Sequence, residues 1–166
     1  MRTACGILIV VLAAAAAAAI PARAADPPLY HAGLVVRLSA DQVLTRCVAF
    51  DELQISGAAL LERSGLALET ITDPALGASV CQIADVGCPA SQCFCAYPPA
   101  YWQYWLQQDS SWRFSSVGAS TRMLADGAVD GWIWGGAGAA PLPALEFDQI
   151  CLETSENQLW LPLIER

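Results

Sequence analysis

The stretch from Tyr97 to Gly135, YPPAYWQYWLQQDSSWRFSSVGASTRMLADGAVDGWIWG, decides the fold. It contains five of the six tryptophans, Trp102, Trp105, Trp112, Trp132 and Trp134. Three apolar-aromatic runs alternate with short polar or glycine-containing joints, the pattern of consecutive antiparallel strands. In 101–107, alternation puts Trp102, Tyr104 and Leu106 on one face and Tyr101, Gln103, Trp105 and Gln107 on the other. Residues 108–111 turn the chain, and Trp112 and Phe114 return it as an aligned aromatic pair. Asp126-Gly127 is a second turn signal. In the last run Asp130, Trp132 and Trp134 share a face, opposite Val129, Gly131 and Ile133.

Upstream, Gly33–Leu38 and Val43–Phe50 are rich in β-branched and apolar residues and flank a four-residue polar joint. A β-hairpin is favoured there over a helix through 41–53. Ser56 can cap a helix that ends at Gly65, with Ile55 and Leu60 at the spacing of a hydrophobic staple and Leu60 and Leu61 as core anchors. Two to three turns fit, so packing must stabilise this helix. Leu66–Thr72 and Ala78–Ile83 read as strands, and 85–95 as a loop. Residues 136–143 read as a Gly/Ala/Pro linker and 144–166 as a tail.

The first 24 residues read as a secretory signal peptide: Arg2, an apolar run from Ile7 to Ile20, and small residues ahead of a cut after Ala24. An apolar run of this length is short for a membrane span. Cleavage would remove Arg2 and Arg23 and take the net charge from −8 to −10. That acidity argues against nucleic acid and anionic membrane surfaces as partners. With no second long apolar run, no membrane span is expected after cleavage. The chain has no lysine, which excludes Schiff-base chemistry and a P-loop.

Beyond the signal segment stand six cysteines, Cys47, Cys81, Cys88, Cys93, Cys95 and Cys151. An even number in a small exported domain implies disulfides, with fifteen connectivities open for three bridges. Their spacings lack the close pairs of structural zinc sites, so no metal is expected. Cys93 and Cys95 are too close to bond each other without strain. The expected set is Cys88–Cys93, Cys81–Cys95 and Cys47–Cys151.

The elements Trp102-x-Tyr104-Trp105, Gly118-Ala119, Asp126-Gly127 and Val129–Trp132 resemble the bacterial transcobalamin-like C-terminal domain family. That family is similar to the C-terminal β domain of transcobalamin and intrinsic factor, and the likeness spans roughly residues 33–135. It implies an α+β, mainly β, β-grasp-like domain that is exported or surface-attached. It also implies a role beside vitamin uptake, with a corrinoid or other vitamin as bound ligand and a membrane transporter or surface protein as partner. The six cysteines are an addition to the family pattern.

His31 is the only histidine, and no nucleophile elbow, EF-hand loop or distinct carboxylate pair is present. No catalytic residue and no cofactor in the catalytic sense are therefore expected. The first reading is a non-catalytic module outside the cytoplasm that captures a small molecule. Trp102, Tyr104, Trp105, Trp132 and Trp134 would offer stacking area and Asp130 a polar handle. The functional tryptophans are expected on the sheet face that the helix leaves uncovered. A structural or protein-interaction domain is the alternative, and a secreted carboxylate hydrolase a third.

Overall fold

A strand that is apolar at successive positions needs cover on both faces, because successive side chains point to opposite sides of the sheet. The first strand, β1 (Tyr30–Arg37), is such a run, with Ala32, Leu34, Val35 and Val36 all fully buried. The computed structural model describes residues 29–74 and 77–151, and the signal segment and the end of the tail lie outside them. The elements that follow are β2 (Val43–Phe50), β3 (Ile55–Ser56), α1 (Gly57–Arg63), β4 (Leu68–Asp73), β5 (Gly77–Ile83) and β6 (Val86–Gly87). A 3-10 turn (Ala90–Gln92) leads to β7 (Tyr101–Gln108), β8 (Ser111–Phe114), β9 (Met123–Leu124) and β10 (Val129–Gly135). Among the described residues the protein is mainly β, with the short helix α1, helical residues at 147–151 and three disulfides.

The main sheet has the order β2-β1-β10-β7-β8. The expected hairpin is there as β1 and β2, antiparallel from Tyr30↔Phe50 to Arg37↔Val43. The aromatic unit is not a simple run of neighbouring antiparallel strands. β7 and β8 pair in that way, around Asp109 and Ser110, both at positive φ. β10 instead inserts between β7 and β1, antiparallel to the first and parallel to the second. The residues explain the order. β10 is buried on both faces and belongs at the centre, whereas the four-residue β8 is largely exposed and serves as an edge.

Two cores follow. On one face Leu34, Val36, Phe50, Trp102, Tyr104 and Trp132 meet Leu60 and Leu61 of α1, Ile83 of β5 and Leu124 of β9. Ser56 caps α1 as its sequence indicates, its Oγ accepting from Ala59 N at 3.0 Å. The N–H groups of Gly57 and Ala58 donate to the carbonyls of Arg122 (2.9 Å) and Ala119 (3.0 Å), so the helix start is tied to the 115–122 loop. Gly65 stands at φ 73° just past the end.

On the other face Val35, Val129 and Ile133 pack against Leu142, Ile150 and Cys151. Residues 136–151, which read as linker and tethered tail, thus form the cover of this face. Trp112 Nε1 donates to Pro143 O (2.8 Å) and Gln107 Nε2 to Leu145 O (2.7 Å), fixing the path of the cover. The Cys47–Cys151 bridge, expected from sequence, clasps its far end.

The other two bridges correct the expected pairing: they join Cys81 to Cys93 and Cys88 to Cys95. A tight turn at Ala84 and Asp85 brings Cys88 beside Cys81, with Cys88 N donating to Cys81 O at 2.8 Å. The 3-10 turn then lays Cys93 on Cys81 and leaves Cys95 for Cys88. Spacing alone could not show that turn.

Gly131, at the centre of β10, lets the cover approach. A Cβ there would stand 2.4 Å from Leu142 Cδ1 and 2.9 Å from the Trp112 ring. Gly131→Ala is expected to lower the unfolding free energy by about 1–3 kcal/mol, the usual range for overpacking a close-packed core. Urea unfolding of both forms measures it, and an unchanged midpoint would contradict this packing.

Candidate functional site

The main sheet is wider than its helix. Five strands span about 19 Å between outer axes at ~4.8 Å spacing, while a seven-residue helix is only about 10 Å long. α1 therefore covers the β1 side and leaves the β7 side of the same face to β5 and the cystine loop. Between β5 with the cystine loop on one side and the segment after β8 on the other lies a recess of about 230 Å³.

Cross-strand register builds its floor. Tyr104↔Trp132 and Trp102↔Trp134 are direct partners on β7 and β10. The Tyr104 and Trp132 rings stack with centroids 4.7 Å apart and 30° between planes, and Trp102 and Trp134 lie 5.4 Å apart. Such pairs add about 0.5–1.5 kcal/mol beyond their burial, so the floor is firm. Ala78, Ser79 and Val80 of β5 form one wall, and Ser115 to Ala119 another. Ser115 Oγ donates to Val117 O at 2.7 Å, which holds the second wall's bend.

The rim is apolar and open to solvent: Phe94 is 59% exposed and Val117 44%. Phe94 sits between two half-cystines, since Cys93 is bonded to Cys81 on β5 and Cys95 to Cys88. Cys95 N donates to Gln92 O (2.8 Å) and Tyr97 N to Phe94 O (3.1 Å), so the backbone on both sides is restrained. Phe114 is the cross-strand partner of Trp105, and their rings meet edge-on at 5.6 Å, so its ring points to the opposite face and only its backbone end borders the recess.

Four of the six residues singled out from sequence, Trp102, Tyr104, Trp132 and Trp134, line this recess. The other two do not. Trp105 lies on the opposite face, packed in the second core, because side chains alternate along β7. Asp130 shares the face of Trp132 but is fully buried and is not among the residues lining this recess. The site also lies on the helix-bearing face and not the opposite one, since residues 136–151 close the latter. Phe94, Tyr101, Phe114 and Val117 were not read as site residues. A phenylalanine between two cysteines was the available signal for the first.

Asp130 serves the architecture. Tyr104 Oη donates a short hydrogen bond to its Oδ2, and Arg122 Nη2 lies 3.6 Å from its Oδ1. Tyr104 reaches it because Gly57 has no side chain: a Cβ there would lie 2.0 Å from the phenol oxygen. The phenol is thus directed away from the recess. Burial, and then the charge of Asp130, raise the Tyr104 pKa far above its ordinary value, so the hydroxyl remains a donor. Burial pushes the Asp130 carboxyl up to about 6, against the Tyr104 hydrogen bond and Arg122, which pull it down.

A family described as the SCO2322-like domain matches residues 95–159, which include β7 to β10 and the C-terminal cover. Among solved structures the chain is similar to haptocorrin in complex with Cbi, with a TM-score of 0.47 and 12% identity. That match covers 69% of this chain, which spans 27% of the length of the haptocorrin chain. No curated protein matches.

The Asp130 shift has a definite sign. Its folded-state value lies above the ordinary 3.8, so between about pH 4 and pH 6 the folded chain keeps a proton that the unfolded chain has released. Asp130 costs no stability below that window and costs most above it, about 3 kcal/mol. Glu52 works in a separate window: Arg63 holds it down at about 2, so its contribution is present above about pH 4.5 and lost as pH falls through 2. Unfolding free energies at about pH 4 and about pH 7 should show the natural chain losing about 3 kcal/mol more than Asp130→Asn on the way up. Parallel profiles for the two forms would exclude this role.

Proposed function

We propose that this chain is a non-catalytic binding module working outside the cytoplasm, and that its aromatic recess captures a small molecule with an apolar face. One observation carries the reading: a recess floored by paired aromatic rings whose rim ring, Phe94, remains exposed. A ring that only filled a core would be buried, and burial of this one would stabilise the fold. Phe94 is instead held at the mouth by flanking disulfides, which reduces the ordering cost that binding would otherwise carry.

The three bridges support an oxidising location, and among the described residues no helix is long and apolar enough to cross a membrane. A β-grasp-like description is supported by the parallel β1–β10 pair at the sheet centre, flanked by antiparallel strands and covered on one face by α1. In this reading the domain is the unit 25–135, with 136–151 as its cover, and the residues that touch ligand are Trp102, Tyr104, Trp132 and Trp134 with Phe94. The family resemblance makes vitamins, corrinoids included, the first ligands to test, delivered to a transporter or surface partner.

Titration of the oxidised protein with such a panel, followed by tryptophan emission and corrected for absorption, should give saturable quenching by at least one member. Phe94→Ala should weaken that binding by about threefold or more, because it removes one stacking ring from the mouth. A folded, oxidised sample that responds to no member would refute capture.

A further inference from the structure

We infer that the ligand is an uncharged, flat ring system of roughly two to three fused rings, and that the recess rejects charged molecules of the same shape. The inference rests on the capture reading and adds the ligand's chemical class.

No residue that lines the recess carries a charge: its polar capacity consists of hydroxyls, indole N–H groups and backbone. In a chain of formal net charge −8 this is a local absence. The one ion pair close behind the floor, Arg122 with Asp130, is used internally. Asp130 has no exposed surface, and the Tyr104 phenol between it and the ring stack donates to it. A charged ligand would therefore surrender its hydration with no counter-charge to replace it, and an unpaired charge in apolar surroundings is strongly disfavoured. A neutral planar ring loses little water and gains ring contacts with Trp134 and Phe94. The volume of about 230 Å³ sets the size, since it holds a small fused ring system and leaves larger ligands projecting past the rim.

The test compares two probes of nearly the same shape. N-phenyl-1-naphthylamine is neutral, and 8-anilino-1-naphthalenesulfonate is the same ring system with one sulfonate. Binding is measured on the full oxidised chain by energy transfer from tryptophan, in about 1 M NaCl. At that salt the screening length is about 3 Å, so repulsion by the distant acidic surface no longer contributes. The neutral probe is expected to bind saturably and the sulfonate about tenfold more weakly or worse. Phe94→Ala should weaken the neutral probe by about threefold or more. Val117→Lys, at a solvent-exposed rim position, should narrow the gap between the probes when both forms are compared in about 0.1 M NaCl, where the introduced counter-charge is not screened out.

Equal affinity for the two probes at high salt would overturn the charge inference while leaving capture intact. Failure of the neutral probe to bind would overturn the ligand class, and if the vitamin panel is silent as well, capture falls with it. Probe binding that is indifferent to both Phe94→Ala and Val117→Lys would place the probe elsewhere and overturn the assignment to this recess.

Discussion

The parallel pairing of β1 with β10 at the centre of the main sheet is the constraint on which the rest depends. Both strands carry apolar side chains on each face, so each face must be covered. One cover is α1 with the two small sheets; the other is residues 136–151. The second cover has little regular structure and is held by side-chain bonds to Pro143 and Leu145 and by the Cys47–Cys151 bridge. That bridge joins residues 104 positions apart, and bridges closing loops of this length contribute about 4–5 kcal/mol in the chain-entropy account.

The candidate site is a consequence of unequal cover. A seven-residue helix cannot hide a five-stranded sheet, and the remainder falls over β7 and the end of β10. There the chain places its aromatics, with two disulfides beneath the one loop that bears an exposed phenylalanine. A buried carboxylate lies close behind. Burial disfavours the charged form of Asp130, yet its carboxyl directs the Tyr104 hydroxyl inward and so leaves only the ring facing the recess. Replacing it with an apolar residue would remove the charge cost and also release the phenol.

Much of this was legible in the sequence. Period-two alternation assigned Trp102, Tyr104, Trp132 and Trp134 to common faces, and the hairpin, the capped helix and the later strands were found near their observed positions. The fate of Asp130 was not legible, because it depends on Gly57, which is 73 positions away and leaves room for Tyr104. Nor was the exclusion of Trp105, since the cover over its face reads locally as a flexible linker. A segment of glycine, alanine and proline has no pattern of its own and takes its path from what it packs against.

By itself the sequence determined the local elements, the mainly β class, the even set of bridging cysteines and the concentration of aromatics in one unit. These follow from neighbours along the chain, where propensity, capping and alternation act. Tertiary structure alone decided that β10 enters the centre of the sheet, that Cys93 takes Cys81 and Cys95 takes Cys88, and that the recess opens on the helix-bearing face. Each of these joins residues distant in sequence, and each is settled by which surfaces can be covered and which are left over.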